Sequence, residues 1–182
     1  QESVYLIDQW CNMYEKKIQE LGGIGFFLGG IGPDGHIAFN VRGSDHNSTT
    51  RLTQTNFETQ AAAAVDLGGI EISRNRLVIT IGLGSITYNK NATAIIIAAG
   101  EAKAPIVQKS IESKQDIMYP ASSLQKISNS RFYITEGAAK NLKDVKDSYW
   151  FEPRWNIRKK QKALLKLSRD KQTSVSYTHL TL

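Results

Sequence analysis

A chain of 182 residues with 41% hydrophobic and 22% charged residues is long enough for one packed domain with an appendage, and its composition is neither disordered nor fibrous. The net charge of +6 is concentrated: residues 154–171 hold eight Lys/Arg against one acid and the remainder is close to neutral, so no nucleic-acid partner is expected. One cysteine, Cys11, excludes a disulfide framework and fits a reducing, cytoplasmic setting, and neither a bilayer-spanning stretch nor a signal-peptide pattern is present.

In chain order, Asp8 is placed to cap a helix over residues 9–21, with Trp10, Tyr14, Ile18 and Leu21 on one face and Gly22-Gly23 as the stop. "IGFFL" (24–28) predicts a short strand buried on both faces, as in a parallel sheet. "RLVITIGLG" (76–84) and "TAIIIAAG" (93–100) predict two more strands, each running into glycine. A helix follows over 101–113, with Pro105 tolerable only in its first turn. Residues 116–125 and 131–135 read as extended, and 136–145 as helical. Apolar strands alternating with helices define the fold class as α/β with a parallel sheet, in which ligands sit beyond the C-terminal ends of strands.

From Tyr149 the texture changes to aromatics around a proline and then a basic helix with Ile157, Leu164, Leu165 and Leu167. Such a helix can meet an acidic or membrane surface, but a solvated helix leading into a further fused domain is the expectation. The uncharged end "SVSYTHLTL" resembles translated sequencing-adapter DNA, so residues 174–182 are expected to be non-native. Without an initiator Met, the chain is expected to begin inside a longer protein. The expected divisions are 1–148, 149–173 and 174–182.

Chemistry concentrates in "GGIGPDGHIAFNVRGS" (29–44), directly after the first strand. Asp34 and His36 are two apart, so in an extended segment they point the same way, and a carboxylate can orient an imidazole for proton transfer. The glycines allow close approach of the backbone to a small ligand. The alternative is a Pro-Asp-Gly turn carrying a surface histidine. Lys103, at the start of a helix behind a buried strand, is placed to hold a phosphate together with backbone N–H groups; the alternative is a solvated first-turn lysine. His46 and His179 fit no ligand spacing, so no metal is expected. Gly30, Gly32 and Gly35 have dinucleotide-fingerprint spacing, but the chain then continues extended rather than helical.

"GGIGPDGHIAFN" (29–40) resembles the signature of the glucosamine-6-phosphate deaminases, also called isomerases. "CNMYEKKI", "GLGSI" (82–86), "AAGEAKA" (98–104) and "SSLQ" (122–125) follow in that family's order, so the resemblance covers roughly Asp8 to Leu142. It implies a modified doubly wound, Rossmann-like parallel sheet, incomplete at the N-terminus, and conversion of glucosamine 6-phosphate to fructose 6-phosphate and ammonia without metal or organic cofactor. It implies His36 as the ring-opening acid/base, Asp34 as its partner, Lys103 on the phosphate and backbone contact with the sugar at Gly30. Ser44 and Arg51 match positions that some members use for an allosteric amino-sugar phosphate. Family members are often hexameric, so a homo-oligomer is among the implied assemblies.

The departures point elsewhere. The family signature continues Asn-Glu-Pro, and its glutamate supports the histidine; here Val41 and Arg42 follow, with Asp45 and Glu58 the nearby acids. Where the family's second phosphate-binding arginine is expected, the sequence has "AAAAV" (61–65). The family's N-terminal half, with its phosphate loop and proton-transferring aspartate, has no counterpart, so this piece alone is expected to be inactive. Three readings follow: part of a deaminase/isomerase; a non-catalytic or altered-substrate sugar-phosphate-binding domain of a larger fused protein; and a 6-phosphogluconolactonase-like hydrolase, against which "HIAFN" argues.

Overall fold

The computed structural model describes residues 2–62, 64, 65, 68–145 and 154–170. They fall into two compact units that divide between Leu142 and Lys143. In the first, β1 (Phe26–Gly30), β4 (Thr93–Ala98) and β5 (Asn129–Ile134) form a parallel sheet in the order β1-β4-β5. Phe26 pairs with Thr93 and Gly30 with Ile97 across the first seam; Thr93 pairs with Asn129 and Ala98 with Ile134 across the second. The run Ala94–Ala98 suits a pleated, packed strand, and alternate members point to opposite faces.

One face of this sheet holds the core. Ala94, Ile96 and Ala98 belong to a buried cluster with Ile37, Leu83, Ile86, Val107, Leu124 and Ile127. Among the described residues the other face is bare: Phe26, Leu28, Ile97 and Tyr133 are each more than half exposed. Burial of the first strand on both faces is therefore corrected. Its apolar residues alternate inward and outward, and the described elements cover only the inward side.

Several boundaries also move. Helix α1 runs Glu2–Glu20, so Asp8 lies inside it rather than at its cap. Trp10, Tyr14 and Leu21 are exposed, and the inward residues are Cys11 and Glu15. Glu15 earns its place through hydrogen bonds: Thr50 N, Thr50 Oγ1 and Ser85 Oγ donate to it at 3.1, 3.0 and 2.6 Å. The stop at Gly22-Gly23 is present, with Gly22 N donating to Gln19 O and Gly23 N to Ile18 O.

Between β1 and β4 the chain forms β2 (Arg51–Gln54), α2 (Phe57–Ala62), α3 (Ile70–Asn75), β3 (Leu77–Thr80) and α4 (Leu83–Thr87). The strand predicted over 76–84 is thus short. It pairs antiparallel with β2 in a separate two-stranded sheet, then turns into α4 at Gly82. After β4, a 3₁₀ turn (Glu101–Lys103) leads into α5 (Ala104–Glu112), with Pro105 in the first turn. Much of the segment predicted as extended over 116–125 lies in a 3₁₀ stretch, Pro120–Lys126; proline is pre-set for such a start, and Ser122 N already closes a turn onto Tyr119 O. After β5, α6 (Glu136–Ala139) is capped by Thr135, whose side chain accepts from Ala138 N; the helix predicted over 136–145 is broken by a turn at 140–142 and resumes at 143–145. Leu142 N closes onto Ala139 O just beyond α6.

In the second unit α7 (Ile157–Asp170) is the basic helix. Asn156 Oδ1 accepts from Lys159 N at 2.8 Å at its start, and the Lys159 ammonium lies 5.0 Å from the Trp155 ring centroid. Ile157, Leu164, Leu165 and Leu167 are exposed. The aromatics Tyr149–Phe151 and the 174–182 tail lie outside the described residues. Among the described residues no helix is long and apolar enough to cross a membrane.

Candidate functional site

The site forms where β1 ends. Beyond Gly30 the chain curls back on itself, with Gly32 N donating to His36 O at 3.0 Å and Gly35 N to Gly32 O at 3.1 Å. Gly35 has φ +85°, where a side chain is strained, and an added Cβ would lie 2.8 Å from Ile106. The His36 ring lies against Gly32, in space that a Cβ at position 32 would occupy.

This curl places Asp34 and His36 together. Asp34 is 1% exposed at its side chain and His36 16%. His36 Nδ1 lies 2.5 Å from Asp34 Oδ1 and 3.1 Å from Thr59 Oγ1. Asn56 Nδ2 donates to Asp34 Oδ2 at 2.7 Å. Burial opposes charge on Asp34, but the bonds from His36 and Asn56 and the nearby imidazole outweigh it, holding the carboxyl well below the usual carboxylate range. An ionised Asp34 only accepts, so Nδ1 carries the ring hydrogen of the neutral imidazole and Nε2 is its basic nitrogen.

Lys103 reaches the same place from the start of α5. Its Nζ donates to Ile31 O at 2.7 Å, and burial lowers its pKa against the opposing pull of Asp34. A cavity of about 390 Å³ is lined by Gly30, Ile31, Gly32, Pro33, His36, Ala38 and Lys103. It opens beyond the C-terminal ends of β1 and β4, where parallel sheets bind ligands. Ala38 carries φ +50°, a left-handed conformation uncommon for a residue with a Cβ, and it too lines the cavity.

The loop is anchored from behind. Asn40 is fully buried; its Nδ2 donates to Ile37 O and Ile81 O, and its Oδ1 accepts from Arg51 Nη1 at 2.9 Å. Arg51 Nη2 donates to Ser44 Oγ at 3.3 Å, so Ser44 and Arg51 meet, but neither lines the cavity. Asp45 Oδ1 accepts from Asn47 N, and Glu58 is exposed. Among the described residues, the hydrogen bonds of the His36 ring are with Asp34 and Thr59. Among the same residues no group of three or more His, Cys, Asp or Glu is placed to hold a metal ion.

Comparison with known proteins adds the family. No family model matches the chain. Over 138 residues it is 38% identical to glucosamine-6-phosphate isomerase of Candida albicans, covering 75% of this chain and 55% of that protein. Over 150 residues it is 35% identical to glucosamine-6-phosphate deaminase 2 of Bos taurus, covering 82% and 53%. Glucosamine-6-phosphate deaminase of Phocaeicola vulgatus is 36% identical over 133 residues, covering 73% and 50%. A solved structure of a monomeric glucosamine-6-phosphate deaminase, described as a missing link of the NagB superfamily, superposes with a TM-score of 0.66 at 30% identity, covering 74% of this chain and 54% of that one. This chain belongs to the glucosamine-6-phosphate deaminase/isomerase family. It spans about half the length of the curated relatives it matches.

For this family member the residues brought to one pocket are Gly30, His36 and Lys103, with Asp34 buried behind the ring. Sequence reading missed Asn56, Thr59 and Asn40. A signal was present for Asn56 alone: an asparagine ahead of an acid, Glu58, and an alanine run is a helix-start pattern. It gave no hint that the cap also reaches Asp34.

Proposed function

We propose that the pocket takes glucosamine 6-phosphate and that this chain forms part of an enzyme converting it to fructose 6-phosphate and ammonia. The observation that carries this reading is one oriented imidazole and one partly desolvated ammonium sharing a single cavity. Opening the sugar ring requires a proton to leave the C1 hydroxyl and one to reach the ring oxygen. An imidazole with Nδ1 held by Asp34 and Nε2 available can do both in turn. Lys103 supplies the charge for the phosphate, and Gly30, which has room where a side chain would be, lets the sugar approach the backbone. The C1-to-C2 proton shift needs a further base, and Asp34 sits behind the ring, too occupied by hydrogen bonds to serve.

Residues 1–148 then act as part of the sugar-phosphate domain, and the basic helix joins it to a further domain. Ser44 and Arg51 are proposed as an effector contact that reaches the site loop through Asn40. The test is ammonia release from glucosamine 6-phosphate by the complete reading frame, with abolition by His36→Ala. A second reading, sugar-phosphate binding without turnover, is favoured by Val41, which has no hydrogen-bonding side chain. It predicts no ammonia release while glucosamine 6-phosphate still raises the melting temperature.

A further inference from the structure

We infer that Asn56 and Thr59, at the first turn of α2, are the positioning residues of the Asp34–His36 pair. The inference rests on His36 being the proton-transfer group proposed above, but its geometry stands by itself. A buried carboxylate that touched only one imidazole would be free to rotate about its own bond. Here each oxygen has its own partner, Oδ1 held by His36 Nδ1 at 2.5 Å and Oδ2 by Asn56 Nδ2 at 2.7 Å. Asn56 is itself fixed, because its Oδ1 accepts from Thr59 N at 3.1 Å as the cap of α2. The amide therefore has one orientation: reversing it would break the cap and set an oxygen against the carboxylate.

Thr59 completes the arrangement. It is 2% exposed, and its Oγ1 lies 3.1 Å from His36 Nδ1. Since Nδ1 carries the hydrogen for Asp34, the hydroxyl oxygen accepts a share of it. Two acceptors then face Nδ1, one from the loop and one from α2. Both favour the same tautomer, the one that leaves Nε2 basic. Val41 has no polar side-chain atom, and the ring's partner beyond Asp34 comes from the first turn of α2.

The test is the ring nitrogen spectrum of His36 in the ¹⁵N-labelled 182-residue chain, assigned by comparison with His36→Ala. The wild-type neutral ring is expected as the Nδ1–H form alone. Asn56→Ser caps a helix about as well but does not reach Asp34, and Thr59→Val keeps the shape without the oxygen. Each is expected to give a mixture of tautomers, while Thr59→Ser retains the single form. A wild-type ring in the Nε2–H form would overturn the inference, as would unchanged tautomers in folded Asn56→Ser and Thr59→Val. Ammonia release enters none of these readings, so failure of the proposed reaction and failure of this inference are separate results. Where turnover is present, Asn56→Ser should lower kcat about tenfold or more with little change in KM.

Discussion

The His36 ring occupies the space in which a side chain on Gly32 would begin: a Cβ there would lie 1.9 Å from His36 Cε1 and 2.1 Å from Nδ1. Ring and glycine are thus one unit, and the turn Gly32–His36 has its observed shape only while position 32 lacks a side chain. Gly32→Ala is expected to displace the imidazole from Asp34 and to cost about 1–3 kcal/mol of stability through overpacking. Thermal melting reads the cost, and the His36 ring signals read the displacement. A variant with wild-type melting and unshifted ring signals would show that the loop absorbs the methyl group, and the steric argument would fail.

Lys103 is the cation in the cavity lining, and its amine is already partly stripped of water. A charged hydrogen bond in such a place is worth about 1.5–3 kcal/mol, so Lys103→Met should weaken binding of glucosamine 6-phosphate roughly 10- to 150-fold. Lys103→Arg should not restore it, because a planar fork cannot stand in for a compact ammonium that also bonds Ile31 O. Isothermal titration with glucosamine 6-phosphate and with inorganic phosphate separates the two parts of the ligand. Equal loss for both is expected if the lysine meets the phosphate.

Much of the pocket was legible in the sequence because its parts are local. Asp34 and His36 are two residues apart, Gly30 ends one apolar strand, and Lys103 follows another by a few residues. Such placements follow from strand ends and turn residues alone. The parts that were not legible join segments far apart in the chain. Asn56 meets Asp34 across 22 residues, and Ser85 meets Glu15 across 70. The apolar spacing of Trp10 and Tyr14 predicted a buried face, yet α1 turns Cys11 and a hydrogen-bonded glutamate inward. Periodicity registers apolar residues and is blind to a carboxylate whose partners come from elsewhere.

That glutamate sets a pH dependence. Burial works against charge on Glu15, but donors from Ser85 and Thr50, with Gln19 beside them, outweigh it and hold its pKa below the ordinary 4.5. A carboxyl whose folded value is depressed stabilises the protein at pH above the unfolded value, and that contribution disappears as pH falls through the folded value. Glu15→Gln should therefore cost about 1–3 kcal/mol at neutral pH. The gap between variant and wild type should close on acidification below about pH 4.5. Urea melts at pH 7 and pH 3.5 measure both gaps. The comparison is between chains at each pH because Asp34 loses its charge in the same direction. A gap of equal size at both pH values would mean that Glu15 contributes by shape and not by charge.

The bare face of the sheet makes a prediction about association. Leu28 and Ile97 are 56% and 55% exposed, on adjacent strands, with Phe26 and Tyr133 flanking them on the same side. Contiguous apolar surface of this kind binds dyes that favour apolar sites and promotes self-association. Replacing Leu28 by Gln and Ile97 by Thr should reduce both effects. Because these side chains are already half in water, each change should alter stability by no more than about 0.5 kcal/mol. Sedimentation velocity and dye fluorescence of the chain and its double variant provide the check. If the double variant unfolds, these residues are packed rather than bare. If it stays folded and associates as before, the surface responsible lies elsewhere, with the exposed Trp10 and Tyr14 of α1 the next residues to replace.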